Sequence, residues 1–194
     1  PNDATVISVI VSKVEKMTDL VTKYEFSHPD GSDLPEWTAG SHIDIVVVPE
    51  FLRPYSMSGN PRDRSKYQIG VLLESNGRGG SKMLQRIFTP GRKIFISKPI
   101  NHFGLTDNAK KTYLFGGGIG ITPMLAFAHH LHETNKDFVM HYSASSEHEA
   151  GFINDLKTAP WFDKVHLHFS DQGNRADFNR ITPKYSKNLH AYIC

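Results

Sequence analysis

The sequence has one cysteine, Cys194, among 194 residues. A lone thiol excludes a disulfide framework and a cysteine-ligated zinc site. It equally excludes an iron–sulfur cluster held by four thiolates of this chain. Long apolar runs are missing as well. The longest, Ile43–Val48, is broken by Asp44, far short of the ~20 residues of a membrane-spanning helix, so no membrane partner is expected. No basic-then-apolar leader opens the sequence, and a cytoplasmic location is expected. Charge of one sign is not in excess either. Lys and Arg total 22 against 20 Asp and Glu, a net charge of +2, which is not the profile of a nucleic-acid binder. Internal repeats and low-complexity tracts are also lacking.

What is there suits a globular chain. Hydrophobic residues make up 39% and charged residues 22%, enough apolar surface for a real core in one large domain or two small ones. From Thr5 to about Ser97 the pattern is of short strands: Val6–Val14, Leu20–Phe26, His42–Val48, Arg53–Ser58, Tyr67–Leu73 and Lys93–Ser97. Turn-forming clusters separate them, among them His28–Asp33 and Gly59–Asp63. Such spacing predicts a closed antiparallel barrel or a sandwich. Lys82–Phe88 is the exception, with Met83, Leu84, Ile87 and Phe88 at helical spacing. After a linker at Pro99–Lys110 the texture changes. Strands at Thr112–Phe115, Phe138–Ser143, Val165–Phe169 and Leu189–Cys194 alternate with helices at Thr122–Glu133 and Gly151–Lys157. This alternation predicts a parallel sheet with crossover helices.

Three motifs carry chemistry. Ser75-Asn76-Gly77-Arg78-Gly79-Gly80-Ser81 sets three glycines around an arginine just before a helix. Backbone amides at a helix N-terminus plus a guanidinium suit a phosphate; a flexible hairpin loop would use the same residues. Arg53-Pro54-Tyr55-Ser56 places a cation and a ring on one face of a strand. Pro54 marks that strand as an edge or an interrupted ladder. An ordinary surface strand is the plainer account of the tetrapeptide taken alone. Gly116-Gly117-Gly118-Ile119-Gly120-Ile121-Thr122-Pro123 joins an apolar strand to a helix. Thr122 is the expected N-cap and Pro123 the expected first helical residue, with the loop amides facing the end of the sheet where nucleotides bind. Eleven histidines are present, with His129, His130 and His132 on one helix and His166 and His168 on one strand face. No carboxylate completes a cluster among them, and no metal site is assigned.

Taken together and in this order, the motifs resemble the ferredoxin–NADP reductase superfamily. More closely, they resemble the phthalate dioxygenase reductase family of Rieske-oxygenase reductase components. The resemblance rests on the Arg-x-Tyr-Ser strand at Arg53–Ser56, the loop at Ser75–Ser81 and the Gly-Gly-Ile-Gly-Ile-Thr-Pro segment at Gly117–Pro123. It runs from the first strand to Cys194, where the family continues into a Cys-Gly-Pro turn; on this ground the chain is expected to be truncated. The resemblance implies a six-stranded Greek-key flavin barrel over residues 1–104. An α/β nucleotide-binding domain, incomplete at its C-terminus, would follow over residues 105–194.

By the same resemblance, Arg53, Arg78, Gly79, Gly80 and Ser81 would hold the flavin phosphate, and Tyr55 would pack on the flavin. Ser56 would lie near its hydride-accepting nitrogen, and Gly70, Val71 and Leu72 would present backbone groups to its edge. Gly117, Gly118, Ile121, Thr122, Pro123 and Ser143 would line the nucleotide site, with Cys194 near the nicotinamide. Ser56 and Cys194 are thus the expected catalytic pair. The glycine–arginine loop is typical of family members that use FMN. Ser143-Ala144-Ser145-Ser146-Glu147 lacks a base to meet a 2′-phosphate and carries an acid, which favours NADH. The implied activity is hydride transfer from NADH to FMN, then single-electron transfer to a two-iron ferredoxin-type cluster. That cluster would sit on a separate segment or ferredoxin partner and serve a terminal oxygenase or demethylase acting on aromatic rings. Two other accounts stay open: a free flavin reductase, and a non-catalytic flavin- or nucleotide-binding module.

Overall fold

The computed structural model describes residues 5–48, 51–74, 80–106, 108–182, 184 and 187–194. In chain order the elements of the first half are β1 (Val6–Lys16), β2 (Val21–Ser27), β3 (Ser41–Val48), β4 (Phe51–Ser56), β5 (Tyr67–Leu72), α1 (Gly80–Ile87), β6 (Lys93–Ser97) and β7 (Ile100–Asn101). The second half holds β8 (Lys111–Gly117), α2 (Ile121–Glu133), β9 (Phe138–Ala144), α3 (Ile153–Thr158), β10 (Val165–Phe169), α4 (Phe178–Ile181) and β11 (Leu189–Ile193).

The first half is an antiparallel sheet with strand order β4-β3-β6-β1-β2-β5. Alternation drives it: Val9 and Val11 of β1 are fully buried while their neighbours stay partly exposed, because side chains on a strand point to opposite faces. The two ends of the path meet through a bridge between Met57 and Ile69, so the sheet curls around a core that includes Tyr24, Phe26, Ile43, Ile45, Met57 and Ile69. Leu84 of α1 and the following Phe88 plug one end. Tyr24 and Phe26 meet Phe88 edge-on, with centroids 6.0 and 6.2 Å away. Among the described residues seven strands make this sheet, where six were expected. The seventh, β7, pairs with Ser41 and His42 of β3 inside the stretch expected to be linker; two residues are too short to show a period.

The second half is a parallel sheet in the order β10-β9-β8-β11. Its α2 is buried almost without interruption from Ile121 to Ala128 and again at Leu131, as a helix must be when covered on all sides. One side lies on the parallel sheet. Elsewhere Phe127 packs on Phe103 from the connection and on Tyr192 of β11, at 5.3 and 5.0 Å between centroids. Gly40 shows how close the connection comes. Its φ is +91°, and a Cβ there would fall 1.9 Å from the Phe103 carbonyl oxygen. α3 begins at Ile153, two residues later than the sequence predicts, because Phe152 has a positive φ of 65° that no helix accommodates. α4 was not visible in the sequence; four residues carry no periodicity. Among the described residues no helix is long and apolar enough to cross a membrane.

The histidines of β9 and β10 gather on one face of the parallel sheet. His141 of β9 stacks on Phe115, His166 and His168, with centroids 5.2, 4.9 and 5.3 Å apart. Its Nδ1 lies 3.0 Å from Nε2 of His168. Burial first, and then the neighbouring imidazoles, push the His141 pKa down to about 4. His129, edge-on to Trp161 at 5.3 Å, is also lowered, chiefly by burial. No group of three or more His, Cys, Asp or Glu among the described residues is placed to hold a metal ion. The folded chain thus keeps His141 neutral down to about pH 4, while the unfolded chain protonates it near 6.5. Between those values the unfolded state binds more protons, so stability falls as pH drops through that window and is insensitive to this group above it. Melting temperatures measured from about pH 7 to about pH 5 should therefore fall, and H141F should remove part of the fall. Equal melting temperatures across that range contradict the assignment.

Candidate active site

An opening of mixed polar and apolar lining follows from a gap in the antiparallel sheet. β4 and β5 bridge only at Met57–Ile69 and form no ladder beyond it. Pro54 has no N–H to donate, and β4 sits at the end of the ladder, where proline is tolerated. Between Arg53–Ser56 on one side and Gly70 and Leu72 on the other lies a cavity of about 470 Å³. That volume falls within the roughly 300–1,000 Å³ of small-molecule sites. Gly80 and Ser81 at the start of α1 close it from one direction; Ile119, Gly120, Thr122 and Cys194 of the second half close it from another.

The antiparallel half supplies charge and an aromatic surface. Arg53 and Tyr55 share a strand face, as alternation requires, and both are half-buried at the cavity. Burial raises the Tyr55 pKa, which keeps its hydroxyl protonated. α1 has no acidic residue in its first turn, so no side chain of that turn neutralises the positive end of its dipole, the end that suits an anion. A Cβ on Gly80 would lie 3.7 Å from Nε of Arg53; guanidinium and helix start are neighbours. Ser81 Oγ accepts a hydrogen bond from the Glu74 N–H at 3.2 Å, fastening the two flanks of the glycine-rich loop together. Arg78 and Gly79, expected in the phosphate site, lie outside the described residues, as does all of 75–79.

The second half supplies backbone at close range. Gly118, with φ of +51°, opens a single tight turn over Gly118–Gly120. The helix then starts at Ile121 with Gly120 as N-cap. This corrects the expected Thr122 cap. The Thr122 hydroxyl instead donates back to the Ile119 carbonyl at 3.0 Å, and Pro123 takes the third helical position, where its missing N–H is no loss. Cys194 runs alongside: its N–H donates to Phe115 O at 3.0 Å, and its carbonyl accepts from Gly117 N–H at 2.8 Å. A Cβ at Gly120 would fall 2.4 Å from the Cys194 backbone.

Most of the expected site residues converge: Arg53, Tyr55, Ser56, Gly70, Leu72, Gly80, Ser81, Thr122 and Cys194 all line the cavity. Val71 does not. Its side chain is in the core, and only its backbone, paired with Thr22, runs past the site. Ile121 and Pro123 are buried beneath the loop. Gly117 and Gly118 are exposed beside it. Ser143 sits at the end of β9 opposite Gly117 and does not line the cavity. Pro54, Glu74, Ile119 and Gly120 were not among the expected site residues, yet all are at the cavity. Three of these stand inside a quoted motif, and Glu74 directly precedes the glycine-rich loop. Sequence reading also missed that the Glu147 carboxylate pairs with Lys157 at 2.8 Å, a partner ten residues away.

No family model matches the chain. Individual relatives do. It is 35% identical over its full length to the carnitine monooxygenase reductase subunit of Escherichia coli, covering 61% of that protein. It is 36% identical over 96% of its length to the vanillate O-demethylase oxidoreductase of Pseudomonas putida, covering 59% of it. The solved structure of phthalate dioxygenase reductase, described as modular and transferring electrons from pyridine nucleotides to [2Fe-2S], superposes with a TM-score of 0.90. That match has 30% identity and spans 97% of this chain and 60% of that one. The chain is thus homologous to reductase subunits of oxygenase systems and matches phthalate dioxygenase reductase in structure, with the ferredoxin–NADP reductase-like pairing of an antiparallel sheet and a parallel α/β sheet. It spans about three-fifths of the length of these relatives.

The contact between Gly120 and Cys194 gives a direct test. G120A should force the two backbones apart and destabilise the chain by about 1–3 kcal/mol, read from denaturant unfolding. An unchanged midpoint would contradict the close approach.

Proposed function

We propose that the chain is the flavin- and nucleotide-binding part of an NADH-dependent reductase. On this reading it binds FMN and NADH, takes a hydride from the nicotinamide, and delivers electrons one at a time to a two-iron ferredoxin-type centre on a separate segment or a ferredoxin. That centre serves a Rieske-type terminal oxygenase or demethylase acting on an aromatic substrate. Residues 1–104, as a six-stranded Greek-key barrel with β7 added, form the flavin domain; residues 105–194 form the nucleotide domain. The reading places the activity in the cytoplasm.

One observation carries this reading. The cavity is walled on one side by a cation, an aromatic ring and a helix start, and on the other by the strand-to-helix loop of a parallel sheet. The first set fits a flat phosphorylated ligand; the second lies at the carboxyl end of the sheet strands, where nucleotides bind. Bound FMN would supply the hydride acceptor and the change from two-electron to one-electron transfer. The chain's own residues bind and orient. Arg53 and the first amides of α1 hold the phosphate. Tyr55 offers a ring to pack against, and Ser56 a hydroxyl to the reacting edge. Gly120, Thr122 and Cys194 form the opposite wall, which excludes water and keeps reacting atoms within the roughly 3–3.5 Å that hydride transfer needs. NADH is favoured because Ser143–Glu147 contains no base, although Lys157 at the Glu147 carboxylate lies within reach of that stretch.

The decisive measurement is the visible spectrum of the purified chain with FMN, followed by NADH without oxygen. Bleaching by NADH, and much slower bleaching by NADPH, are the expected results. A chain that stays colourless after incubation with FMN overturns the proposal. R53A should fold yet bind FMN more weakly, by about 2–5 kcal/mol if the phosphate is paired as argued. Undiminished FMN affinity, measured by fluorescence quenching, removes Arg53 from the phosphate site.

A further inference from the structure

We propose that Phe152 is a positioning residue for hydride transfer, its ring serving as the spacer that sets the separation between the flavin strand and the nucleotide loop. The proposal rests on the reductase reading above. Phe152 is a buried phenylalanine with φ 65° and ψ 10°, in the left-handed region. A bulky L-residue holds that conformation only where its surroundings enforce it, and such strain gathers at functional sites.

The surroundings do enforce it. The Tyr142 hydroxyl donates to the carbonyl of the preceding Gly151 at 3.1 Å, and a Cβ on Gly151 would fall 2.8 Å from Cγ1 of Val21. The Phe152 carbonyl accepts from Leu156 N–H at 2.9 Å. Within the first turn of α3, Asp155 pairs with the buried Lys23 at 2.7 Å. Lys23 is the ladder partner of Gly70. The segment is thus bolted to the β2–β5 pair directly beside Gly70.

The ring occupies the place of a side chain at Gly70. A Cβ built there would lie 2.7 Å from Cε2 and 2.9 Å from Cζ of Phe152, and 2.9 Å from Cγ2 of Thr122. Gly70 and Thr122 both line the cavity, one from each half; Phe152 does not. It therefore acts through them. Whatever separation the ring imposes between strand and loop is passed to the ligands stacked between them. Hydride transfer falls steeply when reacting groups are misplaced by even an ångström.

The test uses the whole chain with F152G, which removes both ring and strain, and F152L, which keeps bulk without a planar ring. Hydrogen exchange, measured before any cofactor is added, should rise in F152G at residues 69–72 and 118–124, with β1 and β6 unchanged. After loading with FMN, rapid mixing with NADH without oxygen should show the hydride step slowed about tenfold or more at saturation. The NADH dissociation constant should stay close to that of the parent chain. The long-wavelength charge-transfer absorbance of the stacked pair should be weakened, and F152L should recover most of both signals. Parent-like exchange at both segments in F152G overturns the spacer, as does a parent-like hydride step. Should F152G fail to fold, F152A, which keeps the Cβ but removes the ring, decides. A slowed hydride step with locally raised exchange supports the spacer; parent behaviour of F152A makes Phe152 a plain core residue and overturns it. A parent chain that binds FMN but is not reduced by NADH refutes the reductase reading. In that case the exchange result still decides whether Phe152 couples the two segments.

Discussion

The whole arrangement depends on a missing side chain at position 70. The two halves meet at Gly70, where the strand surface is bare enough for Phe152 and Thr122 to approach at distances that a Cβ would not tolerate. Around this contact the other interactions act as fasteners. Lys23, opposite Gly70 in the ladder, is almost fully withdrawn from water and held by Asp155 and by Glu15, at 2.7 and 3.3 Å. A buried cation is tolerable only with such partners. Glu133 near the far end of α2 takes a hydrogen bond from Asn60 and an ion pair from Arg62, at 2.6 and 2.9 Å. The cavity exists because the halves are held at this fixed offset, with the unpaired stretch of β4 and β5 open towards the Gly118–Gly120 turn.

The sheet elements were legible because they rest on short-range pattern. Val9 and Val11 announce β1 by alternation, and the apolar run of α2 announces a buried helix. Arg53, Tyr55, Gly80, Ser81 and Thr122, which line the cavity, could be singled out from the sequence because glycine-rich turns and the Arg-x-Tyr-Ser strand are local signals. What escaped was set by contacts between distant residues. The cap of α2 fell at Gly120 because Cys194 lies against that turn, a contact spanning most of the second half. Lys157 reaches Glu147 across the start of α3. Phe152 looks in the sequence like one more apolar residue at a helix start; only the packing at Gly70 and Val21 shows why its backbone leaves the helical region.

The histidines illustrate the same limit from the other side. Counting them suggests a metal, whereas the structure puts three of them in a stack with Phe115. His141, the buried member of the stack, is kept uncharged first by desolvation and then by the neighbouring imidazoles. Its ring fills the sheet face, with one Nδ1–Nε2 contact to His168 satisfying part of its polarity.

The burial of α2 bears on how such a protein can be recombined. A crossover helix on a parallel sheet usually keeps one polar side for water. This one presents Phe127 to Phe103 of the connection and carries almost no polar side over its first two turns. Cut away from the antiparallel half, the sheet-and-helix unit would expose an apolar stripe and invite aggregation. The two halves are therefore poor candidates for independent shuffling. In gene fusions and circular permutations they should travel as one inseparable cassette, with new junctions tolerated at its outer edges and not at the connection between its sheets.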